Sequence, residues 1–452
     1  MSLFRNKDKT AGLAARAEEL FGVKAAAGAE GFLARCADIY RGQPQWLDPE
    51  EGIGTVNFAR SICAETARLA TLAVKIGVAG GTRAAYLQEQ IDRVYFRLRD
   101  WVEYGCAWGT VILKPNGEDI DLVTPDRFVI TQVAGDAVTG AVFESGAYDP
   151  EREKYYTRLE YHRFLPDGQY AISNRCFVGD SVYDRGKSVP IEATPWAGLS
   201  EDVTAQGLER PLFAVLKMPG ANNVEPGSPL GLPVFADAVR ELRDLDVAYS
   251  RNAEEIYDSQ RLSLIDDRLT EQAGTAVGRT RNVKLPRFAR RVFGMGPQEY
   301  YQAIDPELHT QDRLAGINAL LSQIGFKCGF SNGYFVFNER SGMMTATQVE
   351  ADDRRTVQLV KDVRDRLEDA LDGLIYALDK MADAMGLAPG GPYEAVYDFG
   401  DITYNREEDR ARWYGYVADG RMPFWYYLVK FEGYTEDEAK MLAGEDGNAN
   451  GT

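Results

Sequence analysis

The chain has 452 residues, of which 45% are hydrophobic and 27% charged, a composition typical of a folded protein with enough chain for two or more domains. Its formal net charge of −18 excludes a protein that grips nucleic acid along its whole surface, because Lys and Arg supply most of that affinity. There is no signal-peptide pattern and no apolar run of about 18 residues, the length that a membrane helix needs. We therefore expect neither a membrane span nor secretion, and folding in a cytoplasm.

The numbers and spacing of cysteines and histidines limit which disulfides, metal sites and catalytic triads the chain can form. The five cysteines are odd in number and have no C-x-x-C spacing, which argues against a disulfide framework and a cysteine zinc site. They are Cys36, Cys63, Cys106, Cys176 and Cys328, and we expect small buried apolar side chains. The two histidines, His162 and His309, are far apart, so a histidine metal centre or a Ser-His-Asp triad has too few members.

The first half of the chain predicts helices followed by strands. Residues 1 to about 48 predict two short helices, and longer helical patterns follow at 57–74 and 84–105, where Gly105 occupies the expected C-terminal position. The apolar period then changes to that of strands, with Asn-Gly, Ala-Gly-Asp and Pro-Asp-Gly turns typical of hairpins. Residues 50 to about 220 are predicted to form an α+β domain, bounded by a Pro- and Gly-rich loop at 218–233.

Three helices are predicted beyond this loop. The first begins at about Pro233, and the second opens at Asp305 after an irregular, β-like region at 263–304. The apolar stripe of the first helix consists of Phe235, Val239, Leu242, Leu245, Tyr249, Ala253 and Ile256. The third helix begins with a capping box of Thr345 and Gln348, and to residue 386 it would extend roughly 63 Å. A helix of this length is typical of a chain that spans layers of a large assembly.

Two short patterns could indicate phosphate or metal chemistry. The sequence SVYDRGKS (181–188) ends like a P-loop, but Ser181 replaces the first Gly and no helix is predicted after Lys187, so a β-turn is favoured. Glu350, Asp352 and Asp353 could hold Mg²⁺ for a nuclease or phosphotransferase. Because acidic residues are also favoured in the first turns of a helix, we prefer the structural interpretation and keep the metal site as an alternative.

A basic run reverses the local charge of this acidic chain. Its members are Arg279, Arg281, Lys284, Arg287, Arg290 and Arg291, with no acidic residue between them. Such charge asymmetry indicates a contact surface for DNA or for an acidic partner, with a solvated loop as the alternative.

The segment KCGFSNGYFVFNERSGMM (327–344) combines aromatic residues with glycines. The aromatic residues are Phe330, Tyr334, Phe335 and Phe337. They could stack on bases or pack beneath the neighbouring helices. The Gly and Asn positions, together with Glu339 to Ser341, indicate a flexible exposed tip.

The order of these elements resembles the portal proteins of tailed bacteriophages, in the siphovirus branch. The resemblance extends from about residue 30 to 443. It is carried by NFARSICAETARL, TRLEYHRFLPDGQYAISNRCF, PLFAVLKMPGANNVEPGSPLGLPVFADAVRELRDLD and LSQIGFKCGFSNGYFVFNERSGMMTATQVEADDRRTVQ. The last two are the most specific, because the ANN…PGSPLG loop and the TATQV helix start occur in that family at these places in the order.

The resemblance implies an α+β portal fold with an α/β wing, a long helical stem, a small clip and a helical crown. The implied segments are an N-terminal arm (1–30), wing (31–232), stem helix one (233–262), clip (263–304), stem helix two (305–327), tunnel loop (328–344), long helix (345–390), wing strand (391–404) and crown (405–452).

The resemblance also implies a non-enzymatic protein of the virion, with no cofactor, no metal and no membrane. A dodecameric ring at one capsid vertex would pass double-stranded DNA during packaging and ejection. Its partners would be the terminase, head–tail adaptor, major capsid and scaffold proteins. The basic run would be the partner-docking part of the clip, and the channel residues of the tunnel loop would be Ser331, Asn332, Asn338, Glu339, Arg340 and Ser341. The alternatives are the metal-dependent nuclease or phosphotransferase and another minor capsid protein.

Overall fold

In the computed structural model, helices at the N-terminus are followed by antiparallel sheets and then by long helices. The structure describes residues 6–26, 30–117, 119–181, 184, 186–258, 262–266, 289–292, 301–304, 309–337, 346–400, 413–419, 421–432 and 434–443. The chain divides into two units, Met1–Phe399 and Gly400–Thr452. The mixture of helices and strands confirms the predicted α+β class.

The N-terminal helices are α1 (Asn6–Phe21), α2 (Glu30–Tyr40), α3 (Phe58–Ala70), α4 (Thr82–Tyr95) and α5 (Leu98–Trp108), with strand β1 (Lys75–Gly80) after α3. The prediction of a single helix at 84–105 is wrong, because the helix is interrupted between the end of α4 at Tyr95 and the start of α5 at Leu98. Gly105 lies inside α5, where a Cβ would meet the ends of the Met218 and Leu216 side chains. The left-handed residue that ends α5 is Gly109, with φ 75°, a conformation that glycine adopts without strain.

Antiparallel strands form the middle of the first unit. They are β2 (Thr110–Asn116), β3 (Asp119–Val123), β4 (Phe128–Ala134), β5 (Ala137–Asp149), β6 (Lys154–Phe164), β7 (Tyr170–Gly179), β8 (Lys187–Val189), β9 (Asp202–Ala205) and β10 (Ala214–Lys217). One sheet has the order β10-β2-β3, and the other has β4-β5-β6-β7-β8 with β9 also on β7. The predicted hairpin turns are confirmed, with Gly117, Gly135 and Gly168 at positive φ.

The strands of the larger sheet bury residues on both faces. Phe128 and Phe143 contribute to a core with Ile112 of β2. Their sequence neighbours Val129 and Val142 point to the opposite face, as the alternation of a strand requires, and pack with α1. Helix α1 therefore belongs to the core of the larger sheet.

Beyond the boundary loop lie α6 (Val239–Asp258), β11 (Leu262–Asp266), β12 (Ala289–Val292), β13 (Tyr301–Ile304), α7 (Thr310–Lys327), α8 (Ala346–Met385) and β14 (Tyr393–Asp398). Helix α6 begins six residues after the predicted Pro233, because a 3-10 turn at Ala236–Ala238 precedes it. The predicted starts of the other helices, Asp305 and Thr345, lie outside the described residues. Helix α8 has 40 residues, about 60 Å at 1.5 Å per residue, and Gly386 follows it at φ 63°.

A close backbone contact joins Gly109, at the end of α5, to Gly231, in the loop that precedes α6. A Cβ on Gly109 would collide with the carbonyl group of Gly231, and a Cβ on Gly231 would collide with the carbonyl oxygen of Gly109. Around this contact, the Gly231 N–H donates to Thr110 Oγ1 (2.7 Å) and the Val234 N–H donates to the Cys106 carbonyl (3.0 Å). The two glycines therefore permit a backbone approach that no other residue allows.

Two buried arginines bind α8 to the N-terminal helices. Arg364 donates to the carbonyl oxygens of Leu69, Ala70 and Leu72 at 3.3, 2.9 and 3.2 Å, and so caps the C-terminus of α3. Arg83 of α4 donates to the carbonyl of Asp379 (3.1 Å) and pairs with Asp383. The long helix thereby crosses the domain and is fixed at two separate levels.

The second unit contains short helices, as predicted: α9 (413–418), α10 (Phe424–Tyr427), a π-helical turn at Leu428–Glu432, and α11 (Glu436–Ala443). Its core is Tyr427, Leu428, Phe431 and Ala439. The N-terminus of α11 has a reciprocal capping box, in which Thr435 and Glu438 bond each other's backbone N–H. Across the described residues of both units, no helix is long and apolar enough to cross a membrane.

Candidate functional site

Helices α6 and α7 form an antiparallel hairpin. At its base, Glu241 near the start of α6 pairs with Lys327 at the end of α7 (2.6 Å). At its far end, Glu255 pairs with Arg313 and accepts the His309 N–H (3.3 Å). Residues 259–308 therefore connect the two helices at the end of the hairpin that lies farthest from its base.

Among the described residues of this hairpin, those that form a core lie at its base. Leu242 and Leu245 of α6 and Ile317, Leu321 and Ile324 of α7 are buried. Among the described side chains, none between 247 and 256 of α6 or between 310 and 316 of α7 is buried. Tyr249 is 48% exposed and Ile256 is 53% exposed. The predicted apolar stripe of this helix is therefore exposed beyond Leu245, because nothing in the described chain covers its second half.

The segment at 46–56 holds α6 to the body. The Asp246 carboxylate is buried and accepts the Trp46 indole N–H and the Val56 N–H, both at 2.9 Å. One turn further, Ser250 accepts the Gly54 N–H (3.0 Å). These bonds fix the direction of the helix without covering its apolar stripe.

A small sheet follows the far end of the hairpin. Its order is β12-β11-β13, with β12 parallel and β13 antiparallel to β11. This agrees with the β-like pattern predicted at 263–304. Arg290 and Arg291 lie in β12, with Leu264 and Ile265 as their Cα partners. The other predicted docking residues, Arg279, Arg281, Lys284 and Arg287, lie outside the described residues.

The predicted tunnel loop begins with a buried anchor. Ser331 is only 2% exposed, its N–H donates to Thr356 Oγ1 of α8 (2.9 Å), and its hydroxyl is 3.0 Å from that oxygen. Asn332 bonds Ser322 of α7. The assignment of Ser331 to the exposed surface of the channel is therefore wrong, because its side chain is buried and bonds Thr356 of α8. Asn338, Glu339, Arg340 and Ser341 lie outside the described residues.

The aromatic residues of this segment pack beneath the helices, as one of the two interpretations predicted. Phe330 is fully buried, and Phe335 meets Phe58 of α3 edge to face at 5.1 Å between centroids. The Tyr334 hydroxyl donates to Glu65 of α3. Phe337 differs, since its ring is 64% exposed while its N–H donates to Asn318 of α7 (3.0 Å). The base of the loop is thus fixed to α3, α7 and α8.

Helix α8 also contacts the base of the hairpin directly. The Arg355 guanidinium lies 3.8 Å from the centroid of the Phe326 ring and donates to the Phe326 carbonyl (2.8 Å). Lys327, the next residue, pairs with Glu241 of α6. One continuous set of contacts therefore runs from the long helix through the end of α7 to the start of α6.

A buried charged network in the larger sheet was not anticipated from the sequence. Glu160 accepts from Lys114 (2.7 Å) and Arg158 (3.0 Å) and lies 2.8 Å from His162 Nε2. Burial raises the pKa of Glu160, but Lys114, His162 and Arg158 outweigh it and hold the pKa well below its usual range. Burial lowers the pKa of His162 despite the carboxylate. The signal in the sequence was the polar alternation of residues 158, 160 and 162 along a central strand.

Two sequence patterns could have indicated phosphate or metal chemistry. In the P-loop-like segment, the Asp184 N–H donates to the Ser181 carbonyl (3.0 Å), as in the predicted β-turn, and Lys187 begins strand β8, paired with β7. Glu350, Asp352 and Asp353 lie in the first turns of α8, but their side chains are outside the described set. Among the described residues, no group of three or more His, Cys, Asp or Glu is arranged to hold a metal ion.

A small cavity lies between α2, β4 and residues 229–230. Its volume is about 60 Å³ and its lining is mainly apolar, with Leu33, Trp108 and Phe128 among the walls. Pockets for small molecules usually measure roughly 300–1,000 Å³, so this one fits a side chain better than a substrate.

The five cysteines are all buried and free, which confirms the prediction. Burial raises the pKa of Cys36 and of Cys328 to about 12. They are therefore unreactive apolar residues at neutral pH.

Comparison with known proteins adds no relative, since no protein-family model and no curated protein matches the chain.

Proposed function

We propose that this chain is a portal protein of a tailed bacteriophage, forming a ring through which double-stranded DNA is packaged and later ejected. The observation that carries the proposal is the α6–α7 hairpin, which has a core at its base, exposed apolar side chains in its far half, and a small sheet beyond it. A helix pair without covered apolar residues is marginal in water. Neighbouring copies packed side by side would cover the far half.

Ring geometry fits this arrangement. Head-to-tail contacts between identical subunits close into a ring when the rotation between them returns to its start. Helices that stand side by side around an axis provide such contacts along their length. The net charge of −18 also suits a channel, because a basic wall would bind phosphates and retard the DNA, whereas an acidic one lets it slide.

The remaining segments take the roles that the portal resemblance implies. The β11–β13 sheet with the basic run would be the clip that docks the terminase and then the head–tail adaptor. The tunnel loop implied at 328–344, which begins with the base anchored to α3, α7 and α8, would face the channel. The larger sheets would form the wing, which meets the capsid and scaffold proteins, and the second unit would form the crown.

Negative-stain electron microscopy of the purified full chain tests the ring. We expect rings of about twelve subunits with a central hole. Tyr249→Asp combined with Ile256→Asp should leave monomers with unchanged circular dichroism, because the two side chains are exposed within one chain. Val203→Asp, at an exposed position in the wing, is the matched control and should keep the rings. A monomeric wild type, or one that cuts DNA with Mg²⁺, would overturn the proposal.

The clip assignment has its own test. Replacing Arg287, Arg290 and Arg291 by Glu should leave rings intact but abolish docking of terminase or adaptor in a pull-down assay, because the contact surface changes sign. As a control, Arg240→Glu and Arg243→Glu change two exposed arginines of α6. Docking that survives the triple substitution would remove the clip assignment without affecting the ring.

A further inference from the structure

Strands β1 and β14 form a separate two-stranded sheet. They are antiparallel, with Cα partners from Lys75 and Asp398 to Gly80 and Tyr393. Such a sheet has two outer edges, and each outer edge presents backbone groups that another strand could pair with. The two edges of this sheet differ.

The outer edge of β1 is closed by one side chain. Gln88 of α4 accepts the Val78 N–H (2.6 Å) and donates to the Ile76 carbonyl (3.2 Å). Its amide thus satisfies one donor and one acceptor, as a neighbouring strand would. Since alternate residues of an antiparallel strand point their backbone groups to opposite sides, Lys75, Gly77 and Ala79 must face β14.

The outer edge of β14 is open. Glu394, Val396 and Asp398 are the partners of the β1 residues that face inward, so Tyr393, Ala395 and Tyr397 point their N–H and carbonyl groups outward. Within the described part of the chain, no hydrogen bond reaches these backbone groups. A length sufficient for a short added strand is therefore unpaired.

Carboxylates lie on β14 and beside its Tyr397 side chain. Glu394 is exposed on β14, and the Tyr397 hydroxyl donates to Asp372 of α8 (2.6 Å). Burial together with Asp372, Asp365 and Asp369 raises the pKa of Glu368, which shows how closely the acidic side chains are grouped. Lys380 of α8 is paired with Asp379 (3.1 Å). An incoming acidic strand would be repelled, whereas a basic one would be attracted.

We propose that the outer edge of β14 binds an extended, basic segment of a partner protein as an added strand. The backbone groups of Tyr393, Ala395 and Tyr397 supply the main-chain hydrogen bonds, and the carboxylates select Lys or Arg at alternate positions. A second copy of this chain is a poorer occupant, because it brings a net charge of −18 and the same acidic strand. The inference stands apart from the portal proposal, since it needs no ring.

Fluorescence anisotropy with the full chain tests this site. The probe is a fluorescein-labelled peptide of alternating Lys and Val, and the same peptide with Glu in place of Lys is the charge control. Ala395→Pro removes an outward N–H without touching the bonds to β1, and Ala395→Val keeps that N–H. We expect the Lys peptide to bind, with affinity reduced by about tenfold or more in Ala395→Pro and unchanged in Ala395→Val.

Equal binding to wild type and Ala395→Pro, equal binding of the Glu peptide, or no binding of the Lys peptide would overturn the proposal. Should Ala395→Pro fail to fold, hydrogen exchange of the wild type with and without the Lys peptide decides. Protection must then appear at residues 393–397, and protection confined to another region overturns the site. If hydrogen-exchange protection at residues 393–397 increases with protein concentration in the absence of the peptide, a second copy of the chain is the occupant. That result would also overturn the proposal.

Discussion

The base and the far half of the α6–α7 hairpin are built from the same two helices but have different surroundings. At the base, Leu245 and Leu321 are buried, whereas Tyr249 and Ile256 further along the same stripe are exposed. Apolar periodicity thus identifies the face of a helix that needs covering, but not what covers it. At the base the cover comes from the chain itself, whereas in the far half none of the described residues supplies it.

The largest expected effect separates the two halves by stability. Ile317 at the base is 4% exposed, while Ile256 is 53% exposed, so the same substitution can be made in both places. Ile317→Ala should lower the free energy of unfolding by about 2–5 kcal/mol, and Ile256→Ala by less than about 0.5 kcal/mol. Urea denaturation at concentrations where the protein is monomeric measures both. Similar losses would mean that the far half is covered within one chain.

A second test compares the hairpin with the buried polar network of the sheet. The pKa of His162 lies below its ordinary value of 6.5 because the ring is buried. Below about pH 6.5, His162 is therefore protonated in the unfolded chain but stays neutral in the folded chain. The free energy of unfolding should then fall with decreasing pH, by up to about 1.4 kcal/mol per pH unit. Glu160 adds to this loss at lower pH, because its pKa is also depressed.

Chemical denaturation between pH 7 and pH 5 measures this slope. His162→Gln should flatten it, whereas Ile256→Gln in the far half of the hairpin, which removes no titrating group, should leave it unchanged. A slope that persists in His162→Gln would place the responsible group outside the network.

The smallest effect is on reactivity and involves no loss of stability. Cys328 follows the C-terminus of α7 at the hairpin base and is buried, with a pKa raised to about 12. Ellman's reagent should therefore label no native cysteine before unfolding. A cysteine introduced by Ala253→Cys, at an exposed position in the far half, should react rapidly in monomers and slowly in rings. Equal rates in both states would indicate that this face stays uncovered.

The sequence predicted the elements better than their limits. Periodicity identified the helices and the hairpin turns, because both follow from local stereochemistry. It placed a helix end at Gly105, yet this glycine lies inside α5 and packs closely against the Met218 side chain. In the sequence, such a packing position looks the same as a helix cap. The position of the site was predictable only in part. Ser331 lies in a segment whose composition is typical of a loop tip. Its hydrogen bond to Thr356 depends on how the following helix α8 packs, which the local sequence does not indicate.

The reciprocal contact of Gly109 and Gly231 has a consequence for how such a protein can diverge. Side chains on either side of the junction are free to be replaced in compensating pairs, so the surfaces they form can drift toward new partners. The junction itself offers no compensating pair, since a Cβ on either glycine meets the backbone of the other segment. During evolution, the backbone arrangement at this junction should therefore change more slowly than the side chains on the surfaces around it.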